Sequence, residues 1–258
     1  TLTDATIEAG ALKSGGKQLR DFVGARLHAV SEKSQPVLLF IEDVVPGDDK
    51  NGGVAQYKLG YAWEDPKADK TAPPAFLPVC KDKAAAIAIA GQWDMTVNAG
   101  GGGKKSQDNT EVTFACPGSA IHKCVSVMEY KPWGTTSSGA SLDSLHQSCV
   151  RAVRADYCGT GQANTRQDEK INFYDSAGVQ RDAATWTLEA IWGADGARCV
   201  ESTRLYEVDK DRSRHKKVKV MDYIKKTCPQ VLHACPKNPL NPAENPALLY
   251  TEVAPSSR

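Results

Sequence analysis

Eight cysteines constrain this chain more than any other feature. They are Cys80, Cys116, Cys124, Cys149, Cys158, Cys199, Cys228 and Cys235, an even set confined to the last two thirds of 258 residues. No two have the CxxC spacing of a zinc ribbon or a thioredoxin-type centre. Several adjoin turn residues, as in Cys116-Pro117, Cys158-Gly159, Cys228-Pro229 and Cys235-Pro236. Eight free thiols would be an oxidation liability, so the pattern predicts four structural disulfides and folding in an oxidising compartment. Each bridge is worth roughly 2–4 kcal/mol. Eight cysteines permit on the order of a hundred connectivities, and the sequence does not choose among them.

The remaining composition excludes more than it selects. With 41% hydrophobic residues, 24% charged residues and a formal net charge of +1, the chain is an ordinary globular sequence. It has no general electrostatic attraction to nucleic acid or to an anionic membrane, and neither is expected as a partner. No apolar run approaches the ~20 residues of a membrane-spanning helix. A secreted, periplasmic or cell-surface location is expected. The start at Thr1 fits removal of a signal peptide or lipoprotein leader. A monomer is expected, without a cofactor and without a metal.

Along the chain, short apolar and β-branched runs dominate. Leu19–Val30, Val37–Val45 and Ala55–Trp63 read as strands, with a loop at 46–53, and together predict a small N-terminal β unit over residues 1–70. The polar, proline-bearing stretch 64–74 is the candidate boundary to a disulfide-rich domain over 75–258. Ala84–Ala90 reads as a buried strand or a short helix. Gln92–Val97, Glu111–Ala115, Ile171–Tyr174, Thr185–Trp192 and Ala197–Glu207 read as strands, and Ser119–Met128 as a short helix. Gly100–Gly103 followed by Lys104 and Lys105 lacks the phosphate-loop spacing, because Asn98 and Lys105 stand where that loop needs glycine and a hydroxyl residue. A glycine-rich hairpin tip is the expectation there. The basic run at 209–220 is diluted by Asp209 and Asp211, which favours a solvated turn and strand face over a polyanion patch. From Pro236 the prolines suggest a tail wrapped over the surface.

The strongest helical signal is SLDSLHQSCVRAVR. Leu142, Leu145, Cys149 and Val153 fall on one stripe, Ser141 is placed to cap, Asp143 sits in the first turn, and Gly159 and Gly161 offer the stop. One central helix over 142–154 among many short strands predicts an α+β fold, β-dominant and stapled by disulfides.

Residues 113–204 resemble the ADYC domain, a family associated with exported bacterial proteins. The matching pieces are Thr113-Phe114-Ala115-Cys116, Lys123-Cys124-Val125, Lys131-Pro132-Trp133, His146, Cys149-Val150-Arg151 and Arg154-Ala155-Asp156-Tyr157-Cys158-Gly159. Downstream they continue with Tyr174-Asp175, Glu189-Ala190-Ile191-Trp192, Gly196-Ala197-Arg198-Cys199-Val200 and Arg204. Asn164 and Glu129 depart from the residues that relatives carry there. The resemblance implies an exported protein and names no activity.

Four groups of residues could carry chemistry. Ser144, His146, Cys149 and Arg151 are similar to the Ser-His-Gly-Cys-x-Arg motif of L,D-transpeptidases, where a thiolate attacks and an arginine holds a peptide carboxylate. Here His146 lies three residues before the cysteine with no glycine between, and His122 is followed by Lys123. A disulfide at Cys149 would end that reading. Arg151, Arg154 and Asp156 suit a carboxylate or sulfate pocket, although a structural ion-pair network is the commoner use of such residues. Trp186 and Trp192 could share a strand face and stack on a sugar, or pack in the core. His233, between Cys228 and Cys235, would need reduced thiols to ligate a metal. The catalytic candidates are thus His146, Cys149, Arg151 and Asp156, and the ligand-binding candidates Arg151, Arg154, Trp186 and Trp192. The leading expectation is an extracellular binding or interaction protein whose ligand is a surface polymer or other extracellular molecule. The alternative is a secreted enzyme acting on cell-wall or protein substrates, transpeptidase-like or an acid/base hydrolase.

Overall fold

The computed structural model describes residues 5–31, 35–48, 53–64, 74–93, 105–106, 108, 110–137, 139–182, 185–211, 216–239 and 249–254. The chain divides into two compact units, Thr1–Gly101 with Lys105–Val127, and Gly102–Lys104 with Met128–Arg258. All eight cysteines are disulfide-bonded. The fold is α+β and β-dominant, with three α-helices among the described residues.

In the first unit, alternation decides which side chains enter the core. Strands β1 (Thr6–Glu8), β2 (Ala11–Ser14) and β3 (Lys17–Gln18) form a three-stranded meander that the sequence pattern did not announce. Leu19–Phe22 is a 3-10 turn rather than the start of a strand, and β4 occupies Arg26–Val30. β5 (Pro36–Val45) pairs antiparallel with both β4 and β6 (Gln56–Trp63). A register shift between Ile41 and Asp43 lets Ile41 and Val44, three residues apart, both reach the interior. The strands on either side of the 64–74 connector pair with each other, since β7 (Leu77–Pro78) adds to β6 at Gly60 and Tyr61. β8 (Ala86–Ala90) is the buried strand of small residues, and it joins β6 to β9 (Val112–Ala115). Leu12, Phe22, Ile41, Val44, Tyr57, Leu59 and Ala88 form the core of this unit. The Leu12 N–H donates to the Tyr57 hydroxyl at 2.7 Å, tying the meander to the sheet. Cys80–Cys116 cross-links it at a Cα separation of 5.4 Å. The short helix α1 (Ala120–Ser126) is capped by the Ser119 hydroxyl, which accepts from the His122 N–H. The glycine tract 100–103 and residues 94–97 lie outside the described residues; Trp93 forms a bridge with Lys105.

In the second unit, α2 spans Asp143–Arg154, with Leu142 at its N-cap and the Ser141 hydroxyl accepting from the Asp143 N–H. Leu142, Leu145 and Cys149 are buried as the stripe predicts, while Val153 is only half-buried. The helix ends at Arg154, as expected, but the stop is made by Ala155, left-handed at φ 49° and ψ 44°, rather than by Gly159 or Gly161. Strands β10 (Ile171–Asp175), β11 (Thr187–Gly193) and β12 (Gly196–Val200) follow. β13 (Glu207–Asp211) and β14 (Lys216–Lys219) make a two-stranded ribbon leading into α3 (Val220–Thr227). β15 (Leu249–Val253) corrects the picture of a wrapping tail: it enters the sheet between β10 and β11, giving the order β10-β15-β11-β12. Cys158–Cys228 and Cys199–Cys235 cross-link this unit at Cα separations of 5.5 and 5.4 Å.

Candidate functional site

The charged residues at the end of α2 converge on a buried turn. Arg151 is 1% exposed and Asp156 is 0% exposed. The Arg151 guanidinium donates through Nη1 to Asp156 Oδ2 at 2.6 Å, and through Nε to the Ala194 carbonyl at 3.0 Å. The backbone N–H groups of Thr160 and Gly161 donate to the two Asp156 oxygens at 3.0 and 2.8 Å. Arg154 Nη2 donates to the Gly161 carbonyl at 2.5 Å. Asn164 closes the turn by donating its side-chain amide to the carbonyls of Ala155 and Gln162. Burial raises the Asp156 carboxyl above its ordinary value, against the opposite pull of the Arg151 guanidinium. The glycines here are forced by space: a Cβ on Gly159 would fall 1.8 Å from the Asp195 carbonyl, and one on Gly196 (φ +123°) would fall 2.7 Å from the Gly159 nitrogen.

A second buried network lies under the first. Glu189 is 0% exposed. It accepts from the Tyr157 hydroxyl at 2.6 Å, from Arg204 Nε and Nη2 at 2.7 and 2.8 Å, and from the Thr251 hydroxyl at 2.7 Å. Thr251 in turn accepts from the Trp192 indole at 2.8 Å. Arg204 also donates to the Ala152 carbonyl at 2.7 Å, satisfying one open carbonyl at the end of α2. The Tyr157 ring stacks on Trp192 at 5.3 Å. Burial and the neighbouring Glu189 carboxylate hold the Tyr157 phenol well above its ordinary value. A third such group is Tyr130, whose hydroxyl donates to Asp175 at 2.8 Å; Asp175 also accepts from the N–H groups of Val179 and Gln180.

These contacts place each sequence candidate. Arg151, Arg154 and Asp156 do come together, through contacts that hold the turn. Cys149 is disulfide-bonded and offers no thiolate. His146 is fully buried, while Ser144, two residues before it, is exposed. Trp192 is fully buried behind its hydrogen bond to Thr251, and Trp186 is partly buried just ahead of β11 with its backbone N–H on Glu252 at 2.9 Å. His233 is exposed, and both flanking cysteines are oxidised. In the β13–β14 ribbon the register sets Glu207 opposite Lys219 and Asp209 opposite Lys217, so the described part of the basic run meets acids across the strands. Sequence reasoning missed Glu189, Thr251 and Asp175, whose partners lie far along the chain.

The sequence model of the ADYC domain matches residues 19–206. The chain belongs to the ADYC domain family. No curated protein and no solved structure matches it. The ADYC match takes in strands β4 to β12, α1 and α2, but it ends before β15, the strand at the centre of the second sheet. Within it, Ala155-Asp156-Tyr157-Cys158 carries four separate structural duties. Ala155 makes the left-handed stop, Asp156 collects the turn, Tyr157 bridges Trp192 to Glu189, and Cys158 bonds to Cys228.

Proposed function

We propose that this ADYC-domain protein is an extracellular binding protein whose ligand is a surface polymer. One observation carries the reading: the chemically able residues of the family segment are committed to one another. Cys149 is oxidised, Arg151 and Asp156 form a buried pair, and Glu189 is filled by Tyr157, Arg204 and Thr251. Four disulfides suit a protein that keeps its shape in an oxidising space, and no helix among the described residues is long and apolar enough to cross a membrane. A rigid scaffold of this kind recognises partners with its outer faces.

The test is co-sedimentation of the oxidised full chain with insoluble peptidoglycan, chitin and an immobilised sulfated polysaccharide, with the supernatant assayed for released fragments. The expected result is saturable retention by at least one polymer without fragment release. Absence of retention by all three, or release of soluble fragments, overturns the binding reading.

A further inference from the structure

The sheet of the second unit has an outer face that neither buried network uses. The register sets Tyr174, Tyr250, Ile191 and Cys199 in one row across β10, β15, β11 and β12. Asn172, Glu252 and Leu188 form the next row. One end of the first row is closed: Ile191 and Cys199 are buried, with Cys235 packed on them through the Cys199–Cys235 bridge. The other end stays partly open. Tyr174 and Tyr250 stack at 4.6 Å with their planes 9° apart, and both rings keep some exposure. Beyond Tyr174, the exposed Arg181 stands directly across an antiparallel bridge.

Glu252 lies beside this stack and is 7% exposed. Its Oε2 accepts from the Trp186 N–H at 2.9 Å, the Tyr174 hydroxyl at 3.2 Å and the Asn172 amide at 3.4 Å. All three bonds go to that one oxygen, and no described donor reaches Oε1. Oε1 is not among the enclosed side-chain atoms, so it stays accessible to a donor from outside the chain. Aromatic rings and an acceptor carboxylate on one small area, with Arg181 across the bridge at its edge, match the two sides of a pyranose, a C–H face and a rim of hydroxyls. Tyrosine supplies such area with little conformational entropy to lose, and a hydroxyl donating to a carboxylate makes a short, charge-assisted bond.

We propose that Tyr174, Tyr250, Glu252 and Arg181 form a saccharide subsite. The tyrosines pack on the C–H face of a pyranose in a β-1,4-linked chain, Glu252 Oε1 accepts from one hydroxyl, and Arg181 donates to another ring substituent. The inference rests on the binding reading above and names the polymer class. A cross-strand tyrosine pair kept only for sheet stability would leave Glu252 Oε1 and Arg181 without a role.

The probe is chitohexaose, a soluble β-1,4-linked chain of equatorially substituted pyranoses, titrated calorimetrically into the oxidised full chain. Wild type is expected to bind saturably. Tyr174→Ala is expected to weaken binding by roughly tenfold or more, as loss of an aromatic anchor does, and Arg181→Ala to weaken it measurably with an unchanged unfolding temperature. Arg181 is exposed, so its variant keeps the test alive if Tyr174→Ala disturbs the edge strand. Binding equal to wild type in both variants overturns the subsite and leaves the binding reading standing. Retention on an insoluble polymer without any chitohexaose binding overturns the saccharide assignment alone. Failure of both assays overturns the two together.

Discussion

At the scale of single residues, Asp156 decides between scaffold and site. Its carboxylate faces a 1%-exposed guanidinium and two backbone N–H groups. Asp156→Asn strips Arg151 of its counter-charge inside the unit. Breaking a buried pair on one side costs roughly 3–5 kcal/mol. The variant is therefore expected to unfold well below wild type in a thermal scan under oxidising conditions; equal or greater stability would reassign this turn to ligand binding or catalysis. Tyr250 gives a prediction in pH. Tyr250 is pushed up to about 12, first by burial and then by Glu252 and Tyr174, from an ordinary value of 10.0. A phenol whose folded value is raised favours the fold while it is neutral. That contribution is fully present below pH 10 and is lost as pH rises through about 12. Denaturant midpoints should thus fall above pH 10, and less steeply in Tyr250→Phe; an identical alkaline decline in both proteins would contradict the assignment. The juxtaposition of Arg151, Arg154 and Asp156 was legible because five residues of helix and turn bring them together. The partnership of Glu189 with Tyr157, Arg204 and Thr251 was not legible, since it spans sequence separations of 32, 15 and 62.

At the scale of elements, periodicity served where burial is one-sided. The α2 stripe and the alternation of β6, where Tyr57 and Leu59 are buried on either side of Lys58, were readable from the residues. The end of α2 at Arg154 was readable too, but not what makes the stop, because Ala155 takes the left-handed conformation at a position where glycine is the usual signal. β15 left no local sign either. Its five residues, LYTEV, follow a proline-bearing stretch, and its place in the sheet depends entirely on strands far back in the chain. Its insertion has a measurable consequence. Thr251 donates to buried Glu189 and accepts from the buried Trp192 indole. Thr251→Val keeps the shape and removes both bonds, leaving two buried polar groups short of a partner, at a cost of roughly 1–3 kcal/mol each. A fall in the denaturant midpoint of that order is expected; a neutral variant would mean that β15 does not lie between β10 and β11.

At the scale of the whole molecule, the cysteines organise both units. Cys80–Cys116 closes the first, Cys158–Cys228 and Cys199–Cys235 close the second, and Cys124 and Cys149 are bonded as well. The even count and the absence of CxxC made bonding readable, whereas the pairing required the fold, because the partners lie 36, 70 and 36 residues apart in the chain. The proposal of a rigid extracellular binding protein depends on this complete oxidation. The most direct measurement is intact mass after alkylation of the denatured, unreduced protein, followed by proteolytic mapping of the bridges. The account predicts no alkyl adduct before reduction, eight after it, and linked peptides joining Cys80 to Cys116, Cys158 to Cys228 and Cys199 to Cys235. Stoichiometric labelling of any cysteine without reduction, above all Cys149, would contradict it and return a thiol nucleophile to the centre of the ADYC segment.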